Sequence, residues 1–498
     1  MATTAAMPQA SAISPRAMIR PLVLAQFICS YAASSLNVAI SDIAKELGTT
    51  VGGVQTAITV FTLTMAALMI PGSKLTDIWG RKRCFGIGLA VYGTGAVVAS
   101  LAPSLGILII GYSLMQGIGT ALLIPPVYIL ATVYFSDLAS RARAFGSISA
   151  AAGIGAAAGP LIGGLITTTT SWRGSFLLQV VVVALIMVLG RRLEDSGPEE
   201  PRPSFDLTGA VLSAAGLFFI VVGILQTGTY GWFTAQQAFV VGGVTVIPEG
   251  GISPLWLFEL IGVLLLATFF WHIRRTERAG GDPLLHARMF RSRVANIGLL
   301  TQGIQWLVLL GFSFVFSVYL QTVRGYNAIE TGLILTPATI GILVSSGAAE
   351  RMARRRSQAT LIKAGFALTL LGIALLLLLV DAQSNVLASV PGLLSIGLGV
   401  GAMLTASVNV VQSSFPEADQ GEISGLSRSV SNLGSSLGVS IAGSVLVSPL
   451  VSGNQGYVLA VGVLGVFALI GLAAAWLAPG KAPAMRAPET AEAGAAGS

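Results

Sequence analysis

Charge is what this chain has least of. Only 10% of its 498 residues are Asp, Glu, Lys or Arg, against about 25% in soluble globular domains. With 54% hydrophobic residues and a mean hydropathy of +0.82, no polar surface could cover it, which excludes a soluble enzyme. Cysteine is nearly missing too. Cys29 and Cys84 are the only two and both lie in or beside apolar runs, so there is no disulfide framework and no metal-ligand spacing. His272 and His286 are the only histidines, too few and too loop-like for a zinc or haem site. The expectation is of no metal, no cofactor and no catalysis. A net charge of +7 could point to nucleic acid. The basic residues, however, sit in short loops between apolar runs, and no basic face with interleaved aromatics is left to bind one. Residues 1–19 are small and polar and show no cleavable signal, and the first apolar run is long enough to stay in the membrane.

What the sequence does have is length in its apolar runs. A helix crosses a bilayer in about 20 apolar residues, and fourteen such runs can be traced. The reading is an all-α integral membrane protein with the lipid bilayer as its solvent. Residues 1–19 are expected as a cytoplasmic tail, 20–190 as a first set of six helices, and the Pro- and charge-rich stretch 191–206 as a cytoplasmic linker. Residues 207–293 hold two further helices and the basic loop Arg274–Arg293, 294–478 hold six more helices, and 479–498 form a disordered cytoplasmic tail. Helix 2 is expected over 54–74 and helix 13 over 425–447, and Pro125-Pro126 should kink helix 4. Between helices 7 and 8, Val240-Val241-Gly242-Gly243-Val244-Thr245 reads as a small hairpin, with a re-entrant segment as the alternative. With both termini inside, only Lys45, Arg173 and Arg324 of the 28 Lys and Arg fall on the outer side. That is the positive-inside asymmetry of a plasma-membrane protein. A monomer is expected.

One short charged stretch organises the rest: Gly72-Ser-Lys-Leu-Thr-Asp77-Ile-Trp-Gly80-Arg81-Lys82-Arg83, between helices 2 and 3. Gly72 and Gly80 permit close packing and a tight turn. Asp77 can pair with a cation or with helix amides, and Arg81 and Lys82 hold the loop inside. This G-x-x-x-D-x-x-G-R-K pattern between two membrane helices resembles the gate loop of the major facilitator superfamily. Gly347–Arg356 resembles a degenerate second copy that keeps the charge without the Asp-x-x-Gly-Arg frame. The resemblance implies two pseudo-symmetric six-helix halves with the substrate path between them. The six-plus-two-plus-six count resembles the fourteen-helix drug:proton antiporter branch. In helix 5, Gly155, Gly159, Pro160, Gly163 and Gly164 match that branch's antiporter motif. Glycines at four-residue spacing share a helix face and let a neighbouring backbone approach, and Pro160 should bend the helix.

Two departures stand against it. The family's R-x-x-Q-G-x-G in helix 4 is here Ser113-Leu-Met-Gln116-Gly117-Ile-Gly119, and the aspartate of helix 1 is replaced by Ala32. Both ionisable groups associated with proton handling are thus absent from the first half. Among the remaining charges, Glu259 reads as an interfacial carboxylate reaching water. Glu330 and Asp381 read as outer-end groups, and Glu350 and Arg428 as inner-end loop charges. The candidate cavity is therefore neutral: Gln26, Tyr31, Ser34 and Asn37 on helix 1, and Tyr112, Ser113 and Gln116 on helix 4. Gln302, Gln305, Trp306, Asn409 and Gln412 complete it from the second half, since amides in lipid cost free energy and should face the bundle. The expected function is secondary active export of a small organic or drug-like compound by alternating access, with protons as coupling ion. The alternatives are a facilitator or differently coupled carrier and, in another class, a non-transporting membrane sensor.

Overall fold

A computed structural model describes residues 15–135, 138–191, 193, 204–352, 356–416, 419–446 and 454–477. The outermost tails and most of the 191–206 stretch lie outside the described residues. Fourteen long helices account for the described chain: α1 (Met18–Glu46), α2 (Val51–Trp79), α3 (Arg81–Ser100), α4 (Leu105–Ala131), α5 (Leu138–Thr169), α6 (Trp172–Gly190), α7 (Leu207–Tyr230), α8 (Pro254–Arg278), α9 (Arg293–Val323), α10 (Ala328–Met352), α11 (Gln358–Leu379), α12 (Val386–Gln412), α13 (Gln420–Leu446) and α14 (Asn454–Trp476). Thirteen of them are apolar and long enough to span a bilayer. The exception is α13, which carries eight serines (Ser424, Ser427, Ser429, Ser431, Ser435, Ser436, Ser440, Ser444) along with Asn432 and Arg428. Most of these serines bond neighbouring helices, while Ser435 and Ser440 donate to carbonyls of their own helix.

Several boundaries differ from the sequence expectation. The gate stretch is not an open loop: α2 runs on through Trp79 and α3 starts at Arg81. The whole turn is made at Gly80, whose φ of +93° only glycine adopts without strain. Pro125 and Pro126 lie inside α4, near its end. α4 also contains a π-helical segment over Ile109–Gln116. Between α7 and α8, strands β1 (Phe239–Val241) and β2 (Val244–Ile247) pair antiparallel. Gly242 and Gly243 both take positive φ at their turn, so this is a hairpin and not a re-entrant segment.

The bundle has two ends, one marked by Gly80 and the other by the β-hairpin. Within the first six helices, α1 packs on α5 and α6, and α4 on α2 and α3. In the last six, α9 packs on α12, α13 and α14, and α12 also on α10 and α11. The two sets meet along two seams, α2 with α13 and α5 with α10. Helices α7 and α8 pair with each other, and α7 lies against α2 and α13, over the first of these seams. Apolar side chains fill each set. The aromatic stack of Phe61 on Tyr112, centroids 4.5 Å apart, and that of Tyr319 on Tyr457, 4.2 Å apart, mark the two interiors.

Candidate functional site

The seams carry the polar chemistry. Along α2 and α13 the bonds run nearly end to end. Gln55 Nε2 donates to the carbonyls of Val439 and Ser440 at 3.0 and 3.2 Å. Ser436 donates to Thr59 O at 3.1 Å, Ser429 to Ala66 O at 2.5 Å, and Ser73 to Gly421 O at 3.4 Å. Serine hydroxyls bonding carbonyls of a neighbouring helix hold it closely without an apolar interlock. This is the reason α13 is polar, and Ser444, bonded to Ile224 O at 3.4 Å, extends the pattern to α7.

The second seam is one-sided. At the hairpin end α5 and α10 meet backbone to backbone. A Cβ on Gly164 would lie 2.4 Å from Ala328 O, and one on Gly332 would lie 2.5 Å from Pro160 O. Thr339 donates to Ala157 O at 2.9 Å, and the Ile329 amide donates to the Thr168 hydroxyl at 3.1 Å. Toward the Gly80 end, a Cβ added at Gly146, Gly153 or Gly347 would meet only open space. The hairpin end is further sealed between α1 and α9. Asn37 Nδ2 donates to Ser313 Oγ at 3.2 Å, Gln321 Nε2 to Asn37 O at 3.1 Å, and the Ser41 amide to Gln321 Oε1 at 3.0 Å. The α5–α10 seam is thus close-packed at the hairpin end and open at Gly146, Gly153 and Gly347 toward the Gly80 end.

The glycine motif of α5 does two different jobs. Gly155, Gly159 and Gly163 face α1, where added Cβ atoms would meet Phe27 O at 2.4 Å, Ser34 Oγ at 2.0 Å and Ser35 O at 2.9 Å. Gly164 faces α10 across the seam. Gly72 of the gate stretch is equally tight, a Cβ there falling 2.3 Å from Ala121 O. Asp77, Arg81 and Lys82 flank the Gly80 turn and are half-buried.

The expected cavity residues divide. Tyr112, Ser113 and Gln116 are fully buried inside the first set of helices. Tyr112 donates to Ala32 O at 3.2 Å, Ser113 to Ala57 O at 2.7 Å, and Gln116 to Gln179 Oε1 at 2.9 Å. Tyr31 donates to Ser175 at 3.2 Å, also within that set, and Ser34 lies against Gly159. Gln305 accepts from Ser407 at 3.1 Å, and Gln302 bonds Ser427 and Ser431. Gln412 bonds Ser424, Trp306 is half-buried and Asn409 exposed. Of the first-half candidates, Asn37 bonds across to the second set, at Ser313 and Gln321, and Gln26 reaches it only through Tyr128, which contacts Arg428.

Arg428 lies deeper than the inner-end position expected for it. Because α13 begins at Gln420 rather than near 425, Arg428 lies eight residues inside the helix and not at its end. It donates to the Tyr128 hydroxyl of α4, with its guanidinium carbon 5.0 Å from that ring centroid. Tyr128 in turn donates to Gln26 Oε1 at 3.3 Å, and Gln26 Nε2 to Ser30 Oγ at 3.1 Å. Glu259 is half-buried, with its Oε1 buried and without a hydrogen-bond partner among the described residues. α8 presses it toward Gly223 of α7, a Cβ on which would sit 3.6 Å from that oxygen.

At the Gly80 end the segment after α8 ties several helices together. Asp282 pairs with Lys74 of α2 at 2.8 Å, His286 with Glu422 of α13 at 3.0 Å, and Arg288 with Asp419 at 2.8 Å. Asp206 caps α7 by accepting from the Gly209 amide at 2.8 Å. It also lies 2.9 Å from His272 Nε2 and accepts from the Leu284 amide at 3.2 Å. Burial alone would raise its pKa, but these hydrogen bonds outweigh it and hold the carboxyl below the usual aspartate value.

The family model described as Major Facilitator Superfamily matches residues 22–439. The chain belongs to the major facilitator superfamily. It is accordingly a multi-pass membrane transporter and not an enzyme. Among curated relatives, it is 27% identical over 413 residues to "Multidrug resistance protein Stp" of Mycobacterium tuberculosis, covering 83% of this chain and 72% of that one. It is 29% identical over 428 residues to "Puromycin resistance protein pur8" of Streptomyces alboniger, covering 85% and 80%. It is also 29% identical over 435 residues to "Cephamycin export protein CmcT" of Amycolatopsis lactamdurans, covering 87% and 84%. A solved peptide transporter, POT in complex with sulfate, superposes with a TM-score of 0.64 at 17% identity over 95% of this chain and 97% of that one, a likeness of fold alone. In this superfamily member, Ala32 and Ser113 mean that the described parts of α1–α6 hold no Asp, Glu, Lys or Arg more than five residues from a helix end.

Proposed function

We propose that this protein exports small organic, drug-like compounds across the plasma membrane by alternating access, as a monomer with both termini in the cytoplasm. The observation that carries the reading is the one-sided α5–α10 seam, sealed by Gly164 and Gly332 at the hairpin end and parted at the Gly80 end. In this reading the Gly80 end is cytoplasmic and the state is inward-facing. The compound enters between the two six-helix halves, and rocking of the halves about α2–α13 reseals the other end. Helices α7 and α8 are an insertion riding on that hinge seam. Asp77, beside the Gly80 turn, is the charge whose pairing changes as the inner end closes. The relatives named for drug resistance and antibiotic export support the direction of transport.

Proton antiport is the first reading of the coupling, and a facilitator the second. The specific observation favouring the second is that Ser113 is tied to Ala57 O and Ala32 offers only a methyl, so neither position can carry a proton. The test is uptake of a cationic dye into inverted vesicles. Uptake that collapses with a protonophore establishes antiport, uptake indifferent to it establishes a facilitator, and no transport of any compound in a broad panel contradicts export.

A further inference from the structure

Arg428 is the most deeply placed basic side chain among the described helices. Eight residues from the start of α13 is about 12 Å along the axis, whereas every other described Lys or Arg in these helices lies within five residues of a helix end. None of the ion pairs found among the described residues involves it. No Asp or Glu lies comparably deep in α1, α4, α9, α12 or α13. Its contact, Tyr128, supplies a neutral oxygen and an aromatic face. That satisfies one of five guanidinium donors and cancels none of the charge. A cation held at such depth is costly and is kept where it has a purpose. Its position gives the purpose: the head group bridges α13 and α4, in opposite halves, and its partner Tyr128 continues to Gln26 and Ser30 on α1. Arg428 and Tyr128 are both only half-buried, as groups at the edge of an open cleft would be. Phe27, half-buried next to Gln26 on α1, stacks on Tyr31 with ring centroids 6.4 Å apart.

Building on the export reading, we propose that Arg428, Tyr128 and Gln26 form the recognition point for a carboxylate on an amphipathic aromatic compound, so that the preferred cargo is an organic anion. A planar guanidinium offers paired N–H groups to a carboxylate. Tyr128 and Gln26 complete the cradle with a hydroxyl and an amide. Because the three groups come from both halves, a bound carboxylate joins them as the seam closes over it.

The test uses the purified full-length protein in detergent and a matched pair of probes, 2-naphthoate and the neutral 2-naphthamide. The expected result is a rise in melting temperature with 2-naphthoate and little with 2-naphthamide. Arg428→Gln should weaken naphthoate binding by roughly ten- to a hundredfold, the worth of a charge-assisted hydrogen-bonded pair. Arg428→Lys should keep part of the affinity, and Tyr128→Phe, which leaves the charge in place, should stay within roughly fivefold of wild type. Should Arg428→Gln fail to fold, the order of wild type, Tyr128→Phe and Arg428→Lys decides instead. Naphthoate that stabilises no form of the protein, or stabilises Arg428→Gln as well as wild type, overturns the assignment. A protein that binds naphthoate through Arg428 yet moves no compound in vesicles would overturn export and leave the anion site standing.

Discussion

The α5–α10 seam yields the sharpest quantitative prediction. In Gly164→Ala the new methyl would sit 2.4 Å from Ala328 O, 3.0 Å from its carbonyl carbon and 3.1 Å from Ile329 Cα. All three are backbone atoms, so no rotamer change relieves the clash. Ordinary contact begins near 3.4 Å, so the helices must part by about 1 Å at that level. Overpacking of this kind costs roughly 1–3 kcal/mol. That penalty falls only on the conformation in which the hairpin end is shut, and it shifts the balance away from it by roughly 5- to 150-fold. Gly332→Ala, blocked by Pro160 O at 2.5 Å, should act alike. The double variant should cost less than the sum, because the first methyl has already parted the helices. The measurement is the distance distribution between spin labels at Thr169 and Glu330, exposed at the hairpin ends of α5 and α10. The single variants should move population to longer distances. A distribution unchanged from wild type in Gly164→Ala would refute the claim that this seam is a close-packed closure.

Gly159→Ala, the centre of the sequence motif, should be milder than Gly155→Ala. Its methyl meets the rotatable Ser34 hydroxyl, whereas the Gly155 methyl meets Phe27 O; thermal stability of the two in detergent checks the order. Gly159→Leu has no such relief and should abolish transport. Asp77→Asn should leave insertion intact and slow dye transport, and a wild-type rate would contradict a gating role. Asp206→Ala should lose about 1 kcal/mol as a helix cap, read as a lower melting temperature. Since the folded carboxyl lies below its ordinary value, the stability it contributes is present above about pH 4 and is lost as pH falls through the folded value. Asp206→Asn should therefore flatten the acid limb of the melting-temperature profile. Asp282→Asn, which breaks the partly exposed pair with Lys74, should cost under about 1 kcal/mol.

How much of this was legible beforehand depends on what each residue was asked to reveal. Gly72 and Gly155–Gly164 were read correctly as close-approach positions, because a glycine pattern states its geometry locally. The division of labour, with Gly164 turned to α10 and its three companions to α1, depends on which helices are neighbours and is not local. The gate stretch was found, but its form was misjudged: charge suggested a loop, while α2 continues to Trp79 and Gly80 alone makes the turn. Polarity misled most in α13 and α4. Arg428 reads as an inner-end charge when helix 13 is expected to begin near 425, and the helix in fact begins at Gln420. Tyr112, Ser113 and Gln116 read as cavity groups because buried polar groups need partners, and their partners, Ala32 O, Ala57 O and Gln179, lie inside the same half.

Alternating access as proposed requires the seam between α5 and α10 to open and close during transport. The Thr168 hydroxyl lies 3.1 Å from the Ile329 amide, so Thr168→Cys with Ile329→Cys places two thiols across it, in a background where the buried Cys29 and Cys84 are replaced. In vesicles where the untethered protein moves a dye, oxidation to the disulfide should stop transport and a reductant should restore it. Undiminished transport with the disulfide fully formed would contradict alternating access through this seam.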